Sequence, residues 1–167
     1  MLFYDKQNLA ESGFSARLIC SSMDEECGIP KNHFDIVYSV YTIGWTVELE
    51  KTFKKIVSYL KKDGVFIFSW THPIYKCVGI ENNKLVFENS YFDEEWHPVS
   101  AELCIGELKL ANRKNPTYIN SLTNAGFHIE KMIEETDEQM IAPNDNSDFV
   151  RKARMYPVTF VIKARKK

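Results

Sequence analysis

Phe34-Asp35-Ile36-Val37-Tyr38-Ser39-Val40-Tyr41 and Val65-Phe66-Ile67-Phe68-Ser69-Trp70 are the stretches whose reading decides the fold. Both are rich in β-branched and aromatic residues, which favour strands. The second is almost continuously apolar, as suits a strand buried on both faces of a parallel sheet. Between them lies a helix signal. Thr46 is placed to cap it, Glu48 and Glu50 fall in its first turn, and Lys61 and Lys62 fall in its last. Leu49, Phe53, Ile56, Val57 and Leu60 recur at helical spacing as one apolar stripe, and Gly64 closes the element. Strand, helix, strand is an α/β pattern.

Working outward, residues 5–12 are good helix formers ended by Gly13, and residues 16–22 predict a short strand. Residues 71–110 break the alternation and read as an insertion or lid, with a turn at Asn82-Asn83. Asn115-Pro116 opens a helix with the stripe Tyr118, Ile119, Leu122, Ala125, and Gly126 caps it. Strands are expected at 127–133 and 158–162, separated by an acidic loop over 134–148. A basic tail closes the chain.

The composition narrows the function. At 167 residues the chain is the length of one domain, expected to span 1–167, and 44% hydrophobic with 26% charged residues describes a packed protein. A net charge of -2 argues against a nucleic-acid partner. No run approaches the roughly 18 apolar residues of a membrane helix, so no membrane partner is expected. Cys20, Cys27, Cys77 and Cys104 form no CxxC pair, and the four histidines show no ligand spacing. The expectation is reduced thiols, a cytoplasmic protein and no metal.

Phe34-Asp35-Ile36-Val37-Tyr38-Ser39, Trp45, Leu60-Lys61-Lys62-Asp63-Gly64-Val65-Phe66-Ile67-Phe68-Ser69 and His72-Pro73 together resemble class I S-adenosylmethionine-dependent methyltransferases. Tyr118-Ile119, Leu122, Ala125-Gly126-Phe127 and Pro157-Val158-Thr159-Phe160-Val161-Ile162 resemble the late helix and last two strands of that fold. The family usually has Leu-Lys-Pro-Gly-Gly where Lys62-Asp63-Gly64 stands here. The resemblance implies a Rossmann-like sheet of order 3-2-1-4-5-7-6, with helices on both faces and an antiparallel C-terminal strand pair. It also implies that the first two strands and their glycine-rich loop are missing, making this a truncated domain, because no Gly-x-Gly occurs. Of seven glycines, Gly13, Gly64 and Gly126 sit at element ends, Gly28 and Gly44 in loops, and Gly79 and Gly106 in the insertion. Such a loop lets backbone approach a cofactor closely.

The resemblance implies S-adenosylmethionine as cofactor and a small-molecule acceptor as substrate. Ser22, Met23 and Asp24 would flank the adenine, and Ser39, Val40 and Tyr41 would line its methionine end. Trp45 would wall the pocket or serve as core. Ligands of open α/β sheets bind at strand carboxyl ends, which favours the same loops. His72 is a candidate general base, or a residue that orders its turn. Tyr75, Tyr91, Glu94, Trp96 and His97 would form a substrate lid, or a surface hairpin packed on the sheet. Without the first strands, residues 34–41 would form an exposed apolar edge that invites a homodimer. The alternative function is a non-catalytic remnant that acts as a dimerising or interaction protein; a more distant one is a nucleic-acid-modifying enzyme of the same fold.

Overall fold

The computed structural model describes residues 2–99, 108–135 and 145–167. Its elements are α1 (Leu2–Glu11), β1 (Phe34–Val40), α2 (Leu49–Tyr59), β2 (Leu60–Thr71), β3 (Val78–Glu81), β4 (Lys84–Phe87), β5 (Trp96–Val99), β6 (Leu108–Ala111), α3 (Asn115–Ala125), β7 (Phe127–Ile133), α4 (Asp148–Ala153) and β8 (Thr159–Lys166). The central sheet has the order β1-β2-β8-β7. β1 runs parallel to β2, and β8 is antiparallel to both β2 and β7. This reproduces the 4-5-7-6 end of the expected order, including the antiparallel C-terminal pair.

Alternation builds the core. Phe66, Phe68 and Trp70 of β2 and Phe160, Ile162 and Ala164 of β8 point to one face and are buried. Leu49 and Phe53 of α2 and Tyr118 and Leu122 of α3 pack onto that face. Phe68 sits at its centre, its ring 5.3 Å from Phe66, 5.7 Å from Phe53, and 5.9 Å from Tyr118 and Phe160. On the opposite face Ile36, Tyr38 and Val40 of β1 are exposed. The helices packed in the core cluster, α2 and α3, therefore lie on one face, while α1 is exposed along most of Tyr4–Glu11.

Several expected boundaries move. Residues 16–22 form no strand; no ladder joins them to a neighbour, and an unpaired strand has nothing to fix it. α2 begins after Glu48 rather than Thr46, because the Thr46 hydroxyl bonds back to Ile43 O at 2.8 Å. It ends at Tyr59, so Lys61 and Lys62 belong to β2, which starts five residues early on a ladder with Phe34. Gly64 lies inside β2. The basic tail is largely strand, with Lys163 and Arg165 paired to Glu130 on β7. Asn82 and Asn83 make the β3–β4 turn, both with positive φ. Gly126 caps α3 at φ 102, where a side chain would strain. Cys104, Gly106 and parts of the expected lid (71–110) and acidic loop (134–148) lie outside the described residues.

Candidate functional site

β1, β2 and β7 are mutually parallel, so their carboxyl ends share one edge of the sheet. The loops after them carry most of the polar chemistry. Beneath the first lies a cavity of about 430 Å³. Ile19, Ser21, Ser22 and Met23 form one wall, Ile36, Val37, Tyr38 and Ser39 of β1 form another, and α2 forms the floor. Thr42 and Ile43 close the carboxyl end, where the Ser39 and Thr42 hydroxyls bond each other. Ser22, Met23 and Ser39 thus line one cavity.

The other expected cofactor residues separate. Asp24 spends its carboxylate on structure: Oδ2 accepts from Val47 N at 3.2 Å and Oδ1 from the Thr52 hydroxyl at 2.7 Å. It staples residues 14–33 to the start of α2. Val40 points to the exposed face. Tyr41 adopts φ 50, a left-handed conformation that turns its ring toward Trp70, 6.2 Å away, and its hydroxyl onto Thr159. Trp45 stands edge-on to Trp70 at 6.0 Å and stays partly exposed. Gly44 is required beside it, since a Cβ there would meet the Trp70 ring at 2.0 Å.

The loop after β1 is gripped from the far side by Arg113, a residue the sequence did not single out. Arg113 is buried and donates to Gly44 O at 3.3 Å, to Val47 O at 3.2 Å and to Thr46 O. Its guanidinium lies 5.4 Å from the centre of the Trp96 ring.

His72 is 7% exposed and has both ring nitrogens engaged. Nδ1 accepts from Ile74 N at 3.2 Å, which puts the proton on Nε2, 2.9 Å from Glu134 Oε1. Asn115 Nδ2 donates to the same carboxylate oxygen at 2.7 Å. In this arrangement His72 offers no free basic nitrogen and orders its turn, the second of its two expected roles. Glu134, 43% exposed, is the group of this cluster that meets solvent.

None of the five expected lid residues lines the cavity. Glu94 accepts from Lys114 N at 2.8 Å and from the Thr117 hydroxyl at 2.6 Å, at the start of α3. Burial works against its charge, and these donors with the Lys114 ammonium outweigh that, holding its carboxyl below the usual range. Tyr75 packs against Phe149 at 6.3 Å with Lys152 Nζ 4.9 Å from its ring centre. Tyr91 packs edge-on against Phe92 at 5.8 Å, and Trp96 lies against Arg113. His97 pairs with Asp93 at 3.3 Å beside a second hollow of about 290 Å³.

Among the described residues, no group of three or more His, Cys, Asp or Glu is placed to hold a metal, and no helix is long and apolar enough to cross a membrane. The cavity's donor set fits the adenosine part of a nucleoside cofactor. Ser22, Ser39 and Thr42 offer hydroxyls, while Ile19, Met23 and Ile43 offer apolar walls. No glycine lines it, so close backbone approach is not built from these residues.

Residues 1–68 match the family model described as a methyltransferase domain. A methyltransferase-like protein of Listeria monocytogenes superposes with a TM-score of 0.75 at 21% identity, over 96% of this chain and 75% of its own. An S-adenosylmethionine-dependent methyltransferase of Mesorhizobium loti gives 0.72 at 23%, over 97% and 76%. One from Clostridium acetobutylicum gives 0.63 at 15%, over 99% and 70%. A comparison with curated protein sequences gave no match. The chain thus carries a methyltransferase-domain match and, over nearly its whole described length, the Rossmann-like fold of class I S-adenosylmethionine-dependent methyltransferases.

Proposed function

We propose that this protein transfers the methyl group of S-adenosylmethionine to a small organic acceptor in the cytoplasm, as one domain. The observation that carries the reading is the convergence of Ser22, Met23, Ser39 and Thr42 on one cavity at the carboxyl end of β1. When bound, the cofactor supplies an electrophilic methyl group on a positively charged sulfur. Ser22 and Met23 would hold the base end, and the hydrogen-bonded pair Ser39 and Thr42 would line the rest of the site. The Tyr41 and Trp45 rings stay partly exposed beside that loop, where aromatic rings favour positive charge. Arg113 and Asp24 fix the loop from either side, so that acceptor and methyl group can meet in line. Glu134, oriented by His72 and Asn115, is the carboxylate on this edge that receives the acceptor's proton or binds its positive group.

Calorimetric titration with S-adenosylhomocysteine tests the reading. Binding in the micromolar range is expected, and no heat at millimolar concentration would remove it. The exposed row Ile36, Tyr38, Val40 on an edge strand favours a second reading, an interaction protein without catalysis that dimerises through β1. A monomer by sedimentation, together with S-adenosylhomocysteine binding, would exclude it.

A further inference from the structure

The hollow beside His97 shares no lining residue with the larger cavity. Lys76, Asn89, Ser90, Asp93, His97 and Asn112 supply its polar lining, and Leu110 and Pro98 its apolar part. The backbone fixes where these residues stand. Glu88 N and Asn89 N both donate to Cys77 O, at 2.9 and 3.3 Å, which sets the end of β4 beside Lys76. β5 and β6 pair antiparallel with His97 opposite Leu110, so the other side of the hollow is a two-stranded ribbon.

Most of the polar lining is already engaged. Asp93 Oδ1 accepts from Glu95 N at 2.9 Å, and its Oδ2 lies 3.3 Å from His97 Nε2, so both carboxylate oxygens are spent on this turn and on β5. Asn89 Nδ2 donates to Lys76 O at 3.1 Å. Asn112 Nδ2 donates to Pro73 O at 3.5 Å, and its side chain also bonds the Cys77 thiol. Ser90 Oγ accepts from Phe92 N at 3.1 Å, which leaves its O–H to donate. Lys76 differs from these. Among the described residues its ammonium has no carboxylate partner, and burial lowers its pKa with no acid offsetting the shift. The groups left over are one charged donor, one hydroxyl donor, His97 Nδ1 and the amide oxygens of Asn89 and Asn112.

We propose that the hollow binds a small hydroxylated organic acid, its carboxylate against Lys76 Nζ and the Ser90 hydroxyl, its hydrocarbon on Leu110 and Pro98, and its own hydroxyl donating to Asn89 or Asn112. An anion is selected because the one unengaged charge is positive. An organic acid is selected over a bare inorganic anion because part of the wall is apolar. The two amide oxygens can only accept, so the ligand must bring a donor to them. A volume of about 290 Å³ suits a molecule of roughly ten heavy atoms, at about the 30 Å³ that one water occupies. No residue of the S-adenosylmethionine reading takes part except His97, once expected in the lid. Acid binding and S-adenosylhomocysteine binding can consequently fail separately.

The probe is mandelate, a hydroxy acid with one apolar ring, against its neutral amide, mandelamide. Backbone amide NMR of the full chain is expected to show saturable shifts at Asn89, Ser90 and Asn112 with millimolar mandelate, and about tenfold weaker binding of mandelamide. Lys76→Met should remove that preference, and Ser90→Ala should weaken mandelate by about threefold, while thermal unfolding checks that both variants fold. Inorganic phosphate should bind about tenfold more weakly than mandelate, since it has no hydrocarbon to lay on Leu110 and Pro98. Equal affinity for acid and amide, or a preference that survives Lys76→Met, would overturn the proposal. So would phosphate binding as tight as mandelate, or the absence of shifts around the hollow at millimolar mandelate.

Discussion

The two flanks of the central sheet obey different physics. On the β2–β8–β7 side every inner strand has two neighbours, and α2 and α3 roof the buried face with aromatic contacts around Phe68. On the β1 side the strand has one neighbour among the described residues, its outward residues are exposed, and residues 14–33 lie across a cavity rather than in a ladder. Apolar character is similar in both: Ile36, Tyr38 and Val40 would be core residues on a covered sheet. Sequence hydrophobicity therefore does not separate them; how much of each flank is covered by packed helices does. Ser22, Ser39 and Thr42 line the cavity on the less covered side.

Core truncation should break the symmetry most strongly. Phe68→Ala is expected to cost about 3–5 kcal/mol in urea denaturation, from lost contacts and the cavity left behind. Tyr38→Ala, at a site 75% exposed, should change stability by less than about 0.5 kcal/mol. A large loss at Tyr38 would mean that the β1 flank is covered in solution and the contrast drawn here is mistaken.

Next comes the grip on the loop after β1. Arg113→Met leaves the carbonyls of Gly44, Thr46 and Val47 without their charged donor and should cost about 2–3 kcal/mol. Hydrogen exchange should quicken at residues 42–47 well before the β2–β8 ladder opens. Uniform acceleration would show that Arg113 supports the fold at large rather than this loop.

A smaller effect is expected at Asp24. Asp24→Ala frees Val47 N and the Thr52 hydroxyl, at a cost of about 1 kcal/mol. Limited proteolysis should then cut within residues 14–33 sooner, with the packed flank resistant. Unchanged cleavage would argue that the segment is held by its apolar contacts alone.

The mildest test lies on the packed flank. Arg165 first and then Lys163 hold the Glu130 carboxyl down, at about 2 against an ordinary 4.5. A folded-state value below the unfolded one stabilises fully above about pH 4.5 and loses that contribution as pH falls toward about 2. Glu130→Gln should therefore narrow the stability difference between about pH 6 and about pH 3 in urea melts. An identical difference in the variant would show that the pair contributes nothing measurable, as many surface ion pairs do.

The elements read correctly from sequence are those whose signals are local. β1 and the body of β2 follow from composition, α3 from Pro116 and Gly126, the β3–β4 turn from two asparagines, and α2 from its stripe. Residues 16–22 carry strand-like residues but have no ladder, because pairing is a property of the neighbour. β2 begins at Leu60 because Phe34 pairs with it, which a helical Lys-Lys reading could not anticipate. In the site, Ser39 is legible from its place near the end of β1, whereas Ser22 and Met23 reach the same cavity although the strand expected before them does not form. Arg113 lies 69 residues from Gly44, and Glu134 lies 62 from His72, distances at which only the fold brings residues together.

The central claim is that the open flank holds the cofactor end of a methyltransferase. Backbone amide NMR during titration with S-adenosylhomocysteine tests it most directly. The account predicts saturable shifts at Ser22, Met23, Ser39 and Thr42, with the amides of β7 and β8 unmoved. Absence of shifts at millimolar ligand, or shifts centred away from the carboxyl end of β1, would contradict it.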